Sequence, residues 1–144
     1  LKNSKNFNAT TDLKEGLNHS DIIFIVVQTP NSGGDRFYDH TILSNLLVKI
    51  NNHKVKNKDI IIVEDIIDTG KTLKFLCDYI SSKTPRSISI ATLLFKSQIK
   101  KNDYPIDFIG FEIPPEFVVG YGLDYDQKLR HLNGVYSLES DTVV

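Results

Sequence analysis

Residues 59–72 read DIIIVEDIIDTGKT, and the fold follows from how that stretch divides. Residues 59–63 (DIIIV) are a continuous apolar run behind one acid. Such a run suits a strand of a parallel sheet covered on both faces. Residues 64–72 read as the turn that follows. Residues 71–82 then place Leu73, Leu76, Cys77 and Ile80 on one helical stripe. Residues 87–95 (SISIATLLF) return to strand character. Strand, turn, helix and strand in this order make a βαβ unit, with a right-handed crossover and a mainly parallel sheet. The expected fold class is α/β, a mainly parallel twisted sheet flanked by helices in the Rossmann-like manner. Ligands of such sheets bind beyond the carboxyl ends of the strands.

The flanks extend the same plan. Residues 21–28 (DIIFIVVQ) read as a buried strand, and residues 29–35 (TPNSGGD) as a mobile loop. Residues 40–50 carry Ile42, Leu43, Leu46, Leu47 and Ile50 at helical spacing, and residues 51–58 form a polar connection. Residues 106–111 (IDFIGF) and 117–119 (FVV) read as short strands, with Gly120 and Gly122 after the second. Residues 135–138 suit an edge strand.

The turn carries the chemistry. Gly70 lets backbone approach a ligand closely. Free N–H groups at a helix start favour an anion, and the hydroxyls of Thr69 and Thr72 add donors. Carboxylates do not bind phosphate, so Glu64 and Asp65 suit sugar hydroxyls, directly or through a metal. Acids beside phosphate donors fit a phosphorylated sugar. The plainer alternative is a capped helix with Asp68 or Thr69 as N-cap. A Walker A loop needs a further glycine four residues before the GKT, and none is there.

Composition narrows the classes. The 144 residues suit one domain, residues 1–144, with 40% hydrophobic and 24% charged residues. A net charge of -1 gives no basic field for nucleic acid. The single cysteine, Cys77, excludes an internal disulfide and fits a buried thiol in a reducing, cytoplasmic setting. No apolar run has the length of a membrane span, and the opening residues are polar. The sequence contains no methionine, so an N-terminal piece is expected to precede Leu1.

Residues 61–73 (IIVEDIIDTGKTL) resemble the phosphoribosyl-pyrophosphate (PRPP) signature of the type I phosphoribosyltransferases, in their hypoxanthine-guanine branch. Residues 106–122 (IDFIGFEIPPEFVVGYG), with Leu123, Asp124 and Tyr125 next, resemble the branch's purine-side region. The resemblance is strong over residues 59–133 and faint over residues 1–58. It implies transfer of a 5-phosphoribosyl group from PRPP to hypoxanthine or guanine, with xanthine left open as a third acceptor, with release of pyrophosphate and a requirement for Mg²⁺. It also implies a homo-oligomer and purine salvage.

By the same resemblance, Glu64 and Asp65 hold the ribose hydroxyls and contribute to the metal site. Asp68 is the base near purine N7. Thr69, Gly70, Lys71 and Thr72 cradle the 5′-phosphate. Lys96 donates to the 6-oxo group, Phe117 stacks on the purine, and the Val118 backbone reads its edge. Asp124 binds Mg²⁺ and Arg130 meets the pyrophosphate. Residues 1–4 (LKNS) resemble the branch's pyrophosphate loop, with Lys2 and Ser4 as contacts and residues 5–17 as the next helix; Asn3 stands in place of the usual glycine. Thr29 and Pro30 stand where the branch keeps Ser-Tyr in its mobile loop, and Tyr38 is out of register. These departures leave a second expectation open, a nucleotide-binding or regulatory homologue without turnover.

Overall fold

In the computed structural model, the described residues are 8–26, 45, 48, 56–96 and 104–138, the side chains of Lys71 and Thr72 excepted. The β-branched run at 59–63 opens β2, Asp59–Ile67, which pairs in parallel with β1, Ile22–Val26, and with β3, Ser87–Lys96. The edge strand β4, Phe108–Ile113, pairs in parallel with β3. Sheet order is β1-β2-β3-β4, and a separate antiparallel pair joins β5, Phe117–Val119, to β6, Tyr136–Leu138. Two helices are described in full, α1 at Leu13–His19 and α2 at Lys71–Ser81. Asn45 and Val48 are helical, within the stretch expected to be so; the rest of residues 40–50, and the expected loop at 29–35, lie outside the described residues.

Strand β2 outruns its expected end. Ile66 and Ile67 continue the ladder opposite Leu94 and Phe95, so Glu64 and Asp65 belong to the strand and the turn is shortened to residues 68–70. Two further β-branched residues favour the extended backbone over the turn. Helix α1 starts later than expected. Asp12 caps it by accepting from the N–H groups of Lys14 and Glu15, and Thr10 donates to Glu15 at 2.6 Å. A side chain that satisfies the first free N–H groups fixes where a helix begins. Strand β4 is shifted two residues on from its expected place. Asp107 stands before it, accepting from Ile90 N–H at 2.8 Å and donating its own N–H to Ile90 O at 3.0 Å.

The core lies where the helices meet the sheet: Leu17 from α1, Ile25, Ile60, Ile62, Ile67 and Ile90 from the strands, and Leu73, Leu76, Cys77 and Ile80 from α2. Each fully buried aliphatic side chain contributes about 1.5–3 kcal/mol. Cover on both faces, expected for residues 59–63, is only partial: Ile60 and Ile62 are buried, Ile61 and Val63 half-buried, and Phe24 and Val26 on β1 are exposed. No helix among the described residues is long and apolar enough to cross a membrane.

The amino ends of the strands are fastened by charge. The Asp59 carboxylate accepts from the Arg86 guanidinium through both oxygens and from Ser87 Oγ at 2.7 Å. These donors hold the Asp59 carboxyl down at about 2. Lys58 Nζ donates to Ser20 O at 2.7 Å, and Arg86 N–H to Lys58 O at 2.8 Å. Polar fastening at this rim leaves the opposite rim, at the carboxyl ends, to other residues.

Candidate active site at the carboxyl rim

Lys96 closes β3 and Asp68 follows β2, and their side chains meet: Lys96 Nζ lies 3.0 Å from Asp68 Oδ1. The Lys96 side chain is 11% exposed and that of Asp68 47%. A cation this buried needs a partner, and Asp68 supplies it while keeping open surface. Two residues expected to touch one ligand, 28 positions apart in sequence, are thus in contact (96 − 68 = 28).

Glu64 and Asp65 lie four and three residues before Asp68. Glu64 is half-buried on the strand, and among the described residues no hydrogen bond or ion pair reaches its carboxylate. Burial first, and the neighbouring Asp65 charge second, push its carboxyl up to about 7. Asp65 is exposed and, among the described residues, accepts from Ile66 N–H at 2.7 Å. Both Glu64 oxygens and Asp65 Oδ2 are therefore without a partner among the described residues. Beneath them the thiol of Cys77 is buried, and burial pushes it up to about 12. It is an inert packing thiol, as the sequence suggested.

Helix α2 starts at Gly70, whose φ of 70° is left-handed, and no side chain caps it. The capped-helix alternative through Asp68 or Thr69 is thereby set aside: Asp68 is engaged with Lys96. An exposed Thr69 and a left-handed glycine leave backbone N–H groups directed to the space ahead of the helix. Lys71 and Thr72 occupy its first turn by backbone.

On the other side of Lys96, register places Ile113, the last residue of β4, opposite it. Three residues separate Ile113 from Phe117, so the two Cα atoms are within roughly 14 Å of each other along the chain. Phe117 is 49% exposed, with its ring set edge-on against Tyr125 at 5.7 Å and 88°. Val118 faces elsewhere, into an open cavity of about 400 Å³ lined also by Leu94, Phe111, Ile113 and Val135.

Asp124 and Arg130 form a third pairing, 2.9 Å apart, with Gln127 N–H donating to the other Asp124 oxygen at 2.7 Å. Asp124 stands between two tight turns. Gly120 and Leu123 exchange backbone hydrogen bonds around left-handed Tyr121 and Gly122; Tyr125 and Lys128 do the same around left-handed Asp126 and Gln127. Left-handed non-glycine residues cost about 1–3 kcal/mol each and gather where a site needs a fixed geometry. Among the described residues, no three His, Cys, Asp or Glu side chains converge as a metal cluster. Lys2, Asn3 and Ser4 lie outside the described residues.

Residues 8–126 match the family described as the phosphoribosyl transferase domain. The chain belongs to that family. Hypoxanthine phosphoribosyltransferase of Escherichia coli strain K12 is 42% identical over 112 residues, 78% of this chain and 60% of that protein. Hypoxanthine-guanine phosphoribosyltransferase of Staphylococcus epidermidis is 37% identical over 123 residues, 85% of this chain and 66% of that protein. The HGPRT-ase of Leishmania tarentolae, solved in complex with GMP, superposes with a TM-score of 0.60 at 34% identity, covering 65% of this chain and 55% of that one. The sheet and helices are those of a type I phosphoribosyltransferase. The chain spans about 60% of the length of the first of these relatives.

One residue in contact with the candidate site carries no role from sequence: Tyr125, against Phe117. The signal was present, an aromatic residue eight positions after Phe117 in a glycine-marked stretch, but only the turns at 120–123 and 125–128 bring it back.

Proposed function

We propose that the protein transfers the 5-phosphoribosyl group of PRPP to hypoxanthine or guanine, giving IMP or GMP and pyrophosphate in purine salvage. The ion pair between Lys96 and Asp68 carries the reading. It sets a cation and an acceptor side by side at the carboxyl rim, as the O6 and N7 positions of an oxopurine require. Adenine presents an amino group there, which a lysine repels.

The other residues complete the cycle. Backbone N–H groups at Gly70 and the start of α2, with Thr69, Lys71 and Thr72, receive the 5′-phosphate. The Glu64 carboxylate and the outer oxygen of Asp65 take the ribose hydroxyls. Phe117 stacks on the base and the Val118 backbone meets its edge. Purine N9 attacks C1′, the bond from C1′ to pyrophosphate oxygen breaks with its electrons leaving on the pyrophosphate, and Asp68 takes the N7 proton. Arg130, released from Asp124, meets the leaving charge, and Lys2 would join it there. The hard oxygen donors of Asp124, Glu64 and Asp65 fit Mg²⁺, which needs only one or two carboxylates beside substrate oxygens. When bound, that ion neutralises pyrophosphate charge.

The test is incubation with PRPP, Mg²⁺ and hypoxanthine, guanine, xanthine or adenine, with nucleotide as product. IMP and GMP but no AMP are expected. GMP binding without any product would favour the second reading, binding without turnover, toward which Asn3 and Pro30 point. Absence of both product and GMP binding would refute the first.

A further inference from the structure

Phe117 is the first residue of a three-residue strand, and it is half exposed. A ring half open to solvent depends on the contacts of its covered edge to fix its plane. The described ring contact is Tyr125, perpendicular at 88° and 5.7 Å between centroids. Edge-to-face pairs at this distance favour one mutual orientation. Tyr125 is itself held, because its N–H donates to Lys128 O at 3.2 Å and its carbonyl accepts from Lys128 N–H at 2.9 Å. It also directly follows Asp124, which is paired with Arg130. The Tyr125 hydroxyl has no hydrogen-bond partner among the described residues, so the ring carries the contact.

We infer that Tyr125 is a positioning residue that fixes the plane of the Phe117 ring for an oxopurine base, and anchors that platform to the turn carrying Asp124. The inference rests on the proposed function. It extends it by separating base recognition from phosphate recognition: Tyr125 acts only on ligands that possess a base.

The experiment uses the full-length protein and calorimetric titration with GMP and, separately, with ribose 5-phosphate. Tyr125→Leu should weaken GMP about two- to tenfold, the range of an edge-to-face pair, and leave ribose 5-phosphate within about twofold. Tyr125→Phe keeps the ring and should bind GMP as the parent does. In a cycle with Phe117→Leu, the double variant should bind GMP no more weakly than Phe117→Leu alone, since the platform is already gone. Tyr125→Met serves in place of Tyr125→Leu if the latter does not fold. The inference is overturned if GMP affinity survives loss of the ring, if both ligands weaken together, or if Tyr125→Phe behaves like Tyr125→Leu. A parent protein that binds no GMP overturns this inference and the proposed function together; one that binds GMP with indifferent Tyr125 variants overturns only this one.

Discussion

Asp68 and Glu64 are two carboxylates on one strand end with opposite circumstances. Asp68 is half exposed and neutralises a buried lysine; Glu64 is half-buried with its carboxyl raised to about 7. Changing Asp68 to Asn should lower kcat by about 10²–10⁴, the usual contribution of a positioned base, with GMP affinity changed less than about tenfold. Steady-state rates beside titration measure the split, and equal losses in both would contradict the role as base. Glu64 makes a stability prediction. Its folded value lies above its ordinary value near 4.5, so the folded state holds its proton more tightly. Stability from this group is full below about 4.5 and is lost as pH rises to about 7. The melting midpoint should therefore fall between pH 5 and pH 8, and Glu64→Gln should flatten that fall. A Gln variant with the parent's slope would rule the assignment out. From sequence, the acid pair was legible because it sits inside an apolar run. The partner of Asp68 was not, because an ion pair across 28 residues leaves no local pattern.

At the scale of elements, the order and type of the β2–α2–β3 unit were readable, and the starts of all three elements fell where expected. Its signals are local: β-branched runs, a glycine turn and a helical stripe. The ends were less so. Whether Ile66 and Ile67 extend a strand or enter a turn is decided by Leu94 and Phe95 across the ladder, and the start of α1 by the Asp12 cap. The turns around Asp124 were announced only by Gly120 and Gly122, since the left-handed residues of the second turn are Asp126 and Gln127. Gly120 gives the sharpest prediction here. At its φ of 91° a Cβ would collide with the Gly134 carbonyl oxygen, so Gly120→Ala should destabilise by about 2–4 kcal/mol. It should also disturb Asp124 and Arg130. Chemical denaturation measures the first, and a denaturation midpoint equal to the parent's would exclude the packing. Gly110→Val should loosen β4 by the same logic, as its Cβ meets Leu93 O at 2.7 Å.

For the molecule as a whole, one core joins two helices to three strands, so stability and site geometry are shared. Truncating its centre, as in Leu76→Ala, should cost about 2–5 kcal/mol. A ligand that binds only the folded state should return part of that loss: GMP at a hundred times its Kd adds about 2.7 kcal/mol. Scanning calorimetry of the Leu76→Ala protein with and without GMP checks both figures, and a midpoint indifferent to GMP would argue against a nucleotide site on this fold. Overall architecture was legible from sequence because hydrophobic period specifies sheet and helix. What covers Phe24 and Val26 was not, because a period states that a face is apolar and leaves its neighbour unnamed. The clasp of Asp59, Arg86 and Lys58 has a further consequence. It holds strand alignment from the rim remote from the chemistry, so substitutions among the reactive residues need not slip the sheet. Side chains at the carboxyl rim can therefore be exchanged one at a time while the strands stay in step, because their alignment is tied at the far end.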